Sequence, residues 1–294
     1  MESAIREIAL KNSEYPPLLT EIQDPPSRIF FLGAIPKNPC VAIVGTRKAT
    51  SEGKRSARML AATLAQRGFC IVSGLALGID EAAHEGALSV EGKTIAVLAN
   101  GLDTIYPRQH EHLAKKILVG KGAIVSEYTI GTPALPHQFL ERNRIVSGIS
   151  TAVIVVEAPL RSGSIATARH AAEQGRDVFV YPGPATHPNY RGSHMLIRNG
   201  ARLVSSPEDI LEDLNVSPSE KETQKQNTIE RFGDDPVART IFHALSENQM
   251  PMTIDKLSEL TTLEPRTLAE CISLLVIEGV IREDRNGGFS ITPL

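Results

Sequence analysis

Residues 40–74 read CVAIVGTRKATSEGKRSARMLAATLAQRGFCIVSG, and this stretch decides the fold. Residues 40–45 and 69–74 form two continuous apolar runs, which are typical of strands buried on both faces of a sheet. Residues 53–68 lie between them, carry apolar side chains at helical spacing and end at a glycine. The pattern therefore predicts strand, helix and strand, which is the unit of a parallel sheet covered by helices.

The same alternation continues to residue 214. Further strands are predicted at residues 93–101, 123–127, 151–158, 176–183 and 201–205, and further helices at residues 80–89, 110–122 and 164–175. Residues 40–214 are therefore expected to form an α/β domain with an extended Rossmann-like, doubly wound and mostly parallel sheet.

Three flanking segments do not follow this alternation. Residues 1–39 are rich in proline and are expected to form an irregular segment that packs on the sheet and ends in a short strand. Residues 215–235 are polar and charged, which is typical of a flexible linker. Residues 236–294 predict three helices and a hairpin around Asn286-Gly287, the elements of a small winged-helix domain.

Composition limits the classes of protein that fit the chain. The 294 residues include 41% hydrophobic residues, enough for a sizeable core. No apolar run approaches the roughly 20 residues that cross a bilayer, and no signal segment opens the sequence, so a cytoplasmic protein without membrane contact is expected. Three cysteines without metal-ligand spacing are expected to be buried thiols.

Charge is unevenly distributed. Residues 1–214 carry 23 Lys and Arg against 21 Asp and Glu, whereas residues 215–294 carry 8 against 13. An anionic ligand is therefore expected on the larger domain, held by locally placed charge.

Ligands of such sheets bind beyond the carboxyl ends of the strands. The segments at those ends are rich in glycine, serine and arginine, and they comprise residues 45–55, 73–80, 157–168 and 181–193, with residues 139–144 just before a strand. In RSGS, residues 161–164, small residues lead into a helix beside Arg161. Backbone N–H groups at such a helix start favour anions. The alternative for each loop is a tight turn that binds no ligand.

Familiar nucleotide motifs are absent from the sequence. Neither G-x-G-x-x-G nor G-x-x-x-x-G-K-[ST] occurs, so no nucleotide cofactor and no ATP hydrolysis are expected, and no metal is assigned. Asp80 and His84 lie four residues apart on a predicted helix. They are an acid–base pair or, with more weight, a structural pair in which Asp80 braces the helix start and His84 bonds back to it. Glu157 orients an arginine or, in an enzyme, acts as a base.

The segment FLERNRIVSGIS, residues 139–150, combines an aromatic residue with two arginines before a buried strand. An exposed aromatic ring beside arginines suits an unpaired base and its phosphates. The alternative is that Phe139 only packs under a loop. If the segment is helical, Arg142 and Arg144 point in different directions, and one of them, most readily Arg144, braces a loop or a carboxylate.

Seven motifs in this order resemble the DNA processing protein A family (DprA, also called Smf). They are YPPLLTEIQDPP, VAIVGTR, SGLALGIDEAAHEGAL, TIAVLANGLDTIYP, FLERNRIVSGIS, RSGSIATARHAAEQGRDVFVYPG and GSHMLIRNGA. The resemblance implies a bacterial protein that binds single-stranded DNA, protects incoming strands during natural transformation, loads RecA, forms a homodimer through the Rossmann-like domain and performs no catalytic step.

The resemblance also implies a set of binding residues, matched motif by motif. The phosphate-binding residues would be Gly45, Thr46, Arg47, Ser73, Gly74, Arg142, Asn143, Arg144, Ser162, Gly163 and Ser164, with Phe139 facing a base. The chain departs from the family at His194, where asparagine is usual, and its C-terminal domain is acidic, which favours a protein contact over duplex DNA.

Two other functions fit parts of the pattern. A nucleoside-monophosphate hydrolase would use Glu157 with Asp80 or His84, although RSGS differs from the Gly-Gly-rich loop of those enzymes. A winged-helix transcription regulator would bind duplex DNA, which the acidic tail disfavours.

Overall fold

The computed structural model describes residues 4–216, 235–247, 251–284 and 287–292. The chain divides into two compact units, residues 1–215 and 216–294. Most of the predicted linker, and Asn286 of the predicted hairpin turn, lie outside the described residues. Among the described helices, none combines the length and the apolar character that a membrane crossing requires.

The first unit contains a nine-stranded sheet within its described residues. The strands are β1 (Arg6–Ala9), β2 (Arg28–Gly33), β3 (Cys40–Gly45), β4 (Cys70–Ser73), β5 (Thr94–Val97), β6 (Ala123–Ser126), β7 (Ala152–Val156), β8 (Asp177–Tyr181) and β9 (Arg202–Leu203). Their order is β1-β2-β6-β5-β4-β3-β7-β8-β9, and all pairings from β6 to β9 are parallel. The predicted α/β fold class is confirmed.

The strand order reverses at the centre of the sheet. The chain runs outward from β3 through β4 and β5 to β6, then returns so that β7 pairs with the other side of β3. The carboxyl ends of β3 and β7 therefore flank the switch point at which ligands of such folds bind.

Helices connect and cover these strands. They are α1 (Pro17–Thr20), α2 (Ser51–Gln66), α3 (Ile79–Ser89), α4 (Glu111–Val119), α5 (Pro136–Gly148), α6 (Gly163–Glu173), α7 (Arg191–Arg198) and α8 (Pro207–Asp213). The Thr50 side chain caps α2 by accepting from the Gly53 amide at 3.0 Å. The apolar face of α2 is buried. Cys40 and Cys70 are buried free thiols, as predicted.

The N-terminal segment is more regular than expected, although it ends in a strand as predicted. β1 and β2 pair antiparallel with each other, and β2 pairs antiparallel with β6, so both extend the edge of the sheet. Only Ile8 of β1 is buried, and the prolines between the strands occupy the connection. β2 is the short strand expected at the end of this segment, whereas β1 was not predicted, because a short edge strand needs little apolar patterning.

The second unit contains α9 (Pro236–Glu247), α10 (Ile254–Thr261), α11 (Pro265–Ile277), and strands β10 (Ile281–Glu283) and β11 (Phe289–Ile291), which pair antiparallel. Its core is apolar and includes Leu257, Leu268 and Leu275. Buried Cys271 also lies there, as predicted. These elements match the predicted order, and the winged-helix assignment stays a prediction.

Candidate nucleic-acid interface

A cavity of about 600 Å³ lies at the switch point, where β3 ends in Gly45 and the loop after β7 begins. It gathers ten of the twelve residues that the sequence marked for binding. These are Gly45, Thr46, Arg47, Gly74, Phe139, Arg142, Asn143, Ser162, Gly163 and Ser164. Loops far apart in the sequence meet here because parallel strands deliver their carboxyl ends to one edge.

Arg142 is buried beside the turn that follows β4, with 4% of the residue exposed. Its Nη1 donates to the Gly74 carbonyl at 2.8 Å and also to the Val97 carbonyl. A Cβ at Gly74 would lie 2.6 Å from the guanidinium, so this close approach requires glycine. Burial lowers the pKa of Arg142 to about 10, which leaves it charged at neutral pH. Arg142 therefore ties β4 and β5 together below the cavity.

Asp80 anchors the turn after β4. Its Oδ2 accepts from the Gly74 amide at 3.1 Å and from the Ala76 amide at 3.3 Å. Burial raises the pKa of Asp80 above its ordinary value, against the opposing effects of Arg142 and these amides. Asp80 thus braces the helix start, as the structural interpretation of the sequence expected.

His84 does not bond back to Asp80, and this part of the expectation is wrong. Its Nδ1 lies 2.7 Å from the Thr94 hydroxyl, which itself donates to the Ile71 carbonyl, so Nδ1–H is the donor. Burial lowers the pKa of His84 to about 3. The two side chains point to different neighbours because α3 turns His84 toward β5.

The mouth of the cavity carries cationic and aromatic side chains. The Arg47 Cζ lies 5.0 Å from the Phe139 ring centroid, and the Tyr106 ring centroid lies 5.5 Å from that of Phe139. Arg47 and Arg161 are exposed, and neither forms an ion pair among the residues that the structure describes. Among the described residues, two positive charges without an ion pair therefore line a cavity that also contains half-buried Phe139 and exposed Tyr106.

The RSGS segment forms the start of α6, so the helix predicted after it is confirmed. The Ser162 hydroxyl accepts from the Ser164 amide at 3.3 Å and lies 2.6 Å from the Ser164 hydroxyl. Asn143 of α5 donates to the Gly163 carbonyl at 3.1 Å and fixes the turn from the side. The positive end of an 11-residue helix therefore opens into the cavity.

Phe139, Arg142 and Arg144 lie on a helix, α5, which settles the conformation that the sequence analysis left open. Pro136 opens this helix, and the Gln138 side chain accepts from the Leu135 amide at 2.7 Å, which satisfies its first turn. The sequence obscured the helix because polar Arg142 and Asn143 occupy its buried face.

Two of the predicted binding residues lie outside the cavity lining. Ser73 is fully buried, and its hydroxyl donates to the Ile43 carbonyl at 2.7 Å. Arg144 makes two hydrogen bonds to Glu127, at 3.0 and 2.7 Å. Although burial lowers it, the pKa of Arg144 is raised above its ordinary value by Glu127. The carboxylate braced by Arg144 is therefore Glu127, and not the Glu157 considered from the sequence.

Glu157 is buried and does not line the cavity. Its carboxylate accepts from the Thr50 amide and hydroxyl, from Asn189 and from Tyr190. Burial alone would raise the pKa of Glu157, but these hydrogen bonds lower it below its ordinary value. The carboxylate is consequently ionised and already committed to four donors.

Sequence reasoning missed Tyr106, which is 46% exposed beside Phe139. The available signal was the rarity of aromatic residues, 4% of the chain, together with the polar surroundings of Tyr106 after a predicted strand. Leu140 and Pro159 also line the cavity and add apolar surface to it.

A Rossmann-like sheet with a cavity at its switch point, bordered by arginines and aromatic rings, defines the class of doubly wound α/β proteins, whose ligands bind at that point. The model of the family "DNA recombination-mediator protein A" matches residues 6–215. The chain belongs to this family, which confirms the resemblance to DprA and Smf.

Curated relatives and solved structures agree with this assignment. The Escherichia coli (strain K12) protein Smf is 50% identical over 202 residues, 68% of this chain and 54% of that protein. The DprA crystal structure from Streptococcus pneumoniae has a TM-score of 0.67 and 41% identity, covering 71% of this chain and 74% of that one. The Helicobacter pylori DprA structure, described for its single-stranded DNA binding mode, has a TM-score of 0.63 and 33% identity, covering 73% of this chain and 98% of that one.

The chain spans about half the length of the Escherichia coli relative that it matches. The match to the family model lies within the first unit, since it ends at residue 215, where that unit ends.

Proposed function

We propose that the first unit binds single-stranded DNA without strong sequence preference. The observation that carries this function is the cavity at the switch point, in which the start of α6 and the exposed Arg47 guanidinium adjoin Phe139 and Tyr106. Backbone N–H groups and arginine bind phosphates, while an exposed aromatic ring stacks on any base. The H. pylori relative described for its single-stranded DNA binding supports the same ligand here.

The residues proposed to meet the strand follow from their placement. Gly45, Thr46, Gly74, Asn143, Ser162, Gly163 and Ser164 line the anion cradle with Arg47, and Phe139 faces a base. Arg142 is proposed to shape the cradle from beneath. Ser73 and Arg144 are proposed to support it from outside, because their polar atoms are already bonded to Ile43 and Glu127.

The wider role follows from membership of the family. We propose that the protein protects incoming strands during natural transformation, loads RecA onto them and acts as a homodimer through the Rossmann-like domain. The winged-helix domain is proposed to contact another protein, because residues 215–294 carry 8 Lys and Arg against 13 Asp and Glu.

Binding is proposed to proceed without catalysis. A nucleoside-monophosphate hydrolase needs a carboxylate that is free to act on the bound nucleotide. Glu157 lies outside the cavity lining with four donors on its carboxylate, and Asp80 Oδ2 accepts two backbone amides. Incubation with nucleoside monophosphates is expected to release no free base.

The test is fluorescence anisotropy with labelled single-stranded DNA, duplex DNA and single-stranded RNA at two salt concentrations. Arg47→Ala is expected to weaken single-strand binding across sequences and to reduce the salt slope by about 0.7, the value for one phosphate of a single strand. Arg55→Ala is the matched control, because Arg55 is exposed on α2 outside the cavity and its loss changes net charge equally.

Each outcome decides the proposal. Weaker binding by Arg47→Ala but not by Arg55→Ala supports the cavity as the single-strand site. Equal effects of the two variants would show that bulk charge, and not this cavity, attracts the strand. Tighter binding to duplex than to single-stranded DNA would favour the regulator alternative.

A further inference from the structure

Glu157 holds both ends of the turn that carries Arg47. Its backbone carbonyl accepts from the Thr46 amide at 2.8 Å, at the beginning of the turn. Its carboxylate accepts from the Thr50 amide at 3.0 Å and from the Thr50 hydroxyl, at the end of the turn. One residue at the end of β7 therefore closes the loop between β3 and α2.

The middle of this turn is tied to the same carboxylate. The Asn189 Nδ2 donates to the Lys48 carbonyl at 3.0 Å and to Glu157 Oε2 at 3.1 Å. The Tyr190 hydroxyl donates to Glu157 Oε1 at 3.1 Å. Residues from β7, the 46–50 turn and the segment before α7 therefore converge on one buried charge.

The backbone of Glu157 is held in a strained conformation. Its φ is +52°, a left-handed conformation that non-glycine residues adopt rarely. A Cβ at Gly53 would collide with the Glu157 carboxylate, so the first turn of α2 also leaves room for it. The surrounding hydrogen bonds hold a strained residue at the edge of the binding site.

We infer that Glu157 is a positioning residue for single-strand binding: it holds the 46–50 turn so that Arg47 meets a phosphate already in place. This inference rests on the proposed function. Glu157 itself does not line the cavity and is not expected to touch the strand. Preorganising a charged side chain strengthens binding because less freedom is lost when the ligand arrives.

The direction of the change in single-strand affinity distinguishes a positioning role of Glu157 from a purely electrostatic one. Removing a negative charge near a phosphate site strengthens binding if electrostatics alone acts. Removing a support of Arg47 weakens it. We therefore expect Glu157→Ala to bind single-stranded DNA on the order of tenfold more weakly, the effect of leaving about one turn residue to be ordered on binding.

The experiment is a double-mutant cycle measured by single-strand binding on the full chain. Glu157→Ala and Arg47→Ala are made singly and together, and binding by the double variant is expected to match that by Arg47→Ala alone, because Glu157 acts through Arg47. Glu157→Gln is expected to recover part of the loss, since it retains one acceptor oxygen. Glu52→Gln, which removes a charge from an exposed position on α2, is expected to leave binding unweakened.

A second variant tests the same inference if Glu157→Ala does not fold. Asn189→Ala removes the tie between Lys48 and Glu157 from the opposite side, and it is expected to weaken binding in the presence of Arg47 only. Additive losses in either cycle, or wild-type affinity in Glu157→Ala, would overturn the inference while leaving the proposed function standing. Failure of the wild-type chain to bind single-stranded DNA would instead overturn the proposed function.

Discussion

Arg142 and Arg144 lie two positions apart on α5 and have different surroundings. Arg142 points into the unit, where it donates to two backbone carbonyls, and Arg144 pairs with Glu127 on the other side of the helix. Residues two apart on a helix point about 200° apart, so this division follows from the spacing alone. An arginine in a motif shared with the family is therefore not by itself a phosphate contact, and Arg47 is the better candidate because it forms no ion pair with any residue that the structure describes.

Arg142→Met is expected to destabilise the first unit strongly. Methionine retains the length of the side chain but leaves the Gly74 and Val97 carbonyls without these donors and buried Asp80 without a nearby cation. Breaking a buried charge interaction of this kind costs about 3–5 kcal/mol. Urea unfolding followed by circular dichroism measures the loss. Arg144→Met is the control and is expected to cost less, and the reverse order would contradict the structural role of Arg142.

His84 predicts a pH dependence of stability. The unfolded chain binds a proton at this residue below about pH 6.5, whereas burial lowers the folded pKa to about 3. Between these values the unfolded state holds more protons, so the free energy of unfolding falls with falling pH by at most about 1.4 kcal/mol per pH unit.

His84→Asn is expected to remove this contribution, because asparagine keeps a donor for Thr94 but does not titrate. Unfolding free energies measured from pH 7 to 5 should therefore decline less steeply in the variant than in the wild type. Asp80, whose raised pKa acts in the opposite direction, is present in both proteins and cancels from the comparison. Equal slopes would mean that His84 titrates normally in the folded state.

At the scale of elements, the site consists of strand ends and helix starts. β3 and β7 bring their carboxyl ends together at the switch point, and α6 begins at the same place with Ser162 as its cap. The cavity is therefore formed by the ends of several elements together, and not by any single loop. Binding capacity is expected to depend on how these element termini are capped.

Ser162→Ala is expected to lower both stability and single-strand affinity. Loss of an N-cap side chain costs about 1 kcal/mol, and here the helix start also belongs to the proposed phosphate cradle. Ser206→Ala is the matched control, since Ser206 caps α8 away from the cavity by accepting from the Asp209 amide. It should lower the melting temperature without changing affinity. Equal affinities of the two variants would show that the start of α6 is not part of the binding site.

The elements differ in how well the sequence predicted them. The strands from β3 to β7 were predictable because they are buried on both faces and read as continuous apolar runs. β1 was not predictable, since a short edge strand with one buried side chain leaves no pattern. α5 was ambiguous because Arg142 and Asn143 occupy buried positions that a helix normally fills with apolar residues. The hydrogen-bond partners of Arg144 and Glu157 come from segments that are distant in the sequence, so no local sequence pattern indicates them.

At the scale of the whole molecule, the two units differ in net charge, and only the first unit is matched by the family model. The family model ends with the first unit, and nearly all of the H. pylori chain aligns with 73% of this one. Residues 215–294 carry the excess of acidic residues. The proposed single-strand binding therefore belongs to the first unit, and the second unit is proposed to have a separate task.

Removal of residues 216–294 is expected to leave single-strand affinity and its salt slope unchanged within about twofold, because the slope depends on the phosphates neutralised by the cavity. Anisotropy titrations of the full chain and of residues 1–215 test this. A large loss of affinity on truncation would place part of the strand-binding surface in the second unit.

The contact between Arg47 and Phe139 has a consequence for discrimination among strands. The guanidinium lies 5.0 Å from the ring centroid, so it already occupies one face of Phe139. If Arg47 stays in place for a phosphate, as its support by Glu157 requires, a base in the proposed complex meets only the part of the ring that the guanidinium leaves uncovered. Stacking on a full face is worth about 1–3 kcal/mol, so this partial contact contributes less, and the differences between strong and weak stacking bases shrink with it. A ring shared in this way tolerates any base sequence and leaves most of the proposed affinity to the backbone of the strand.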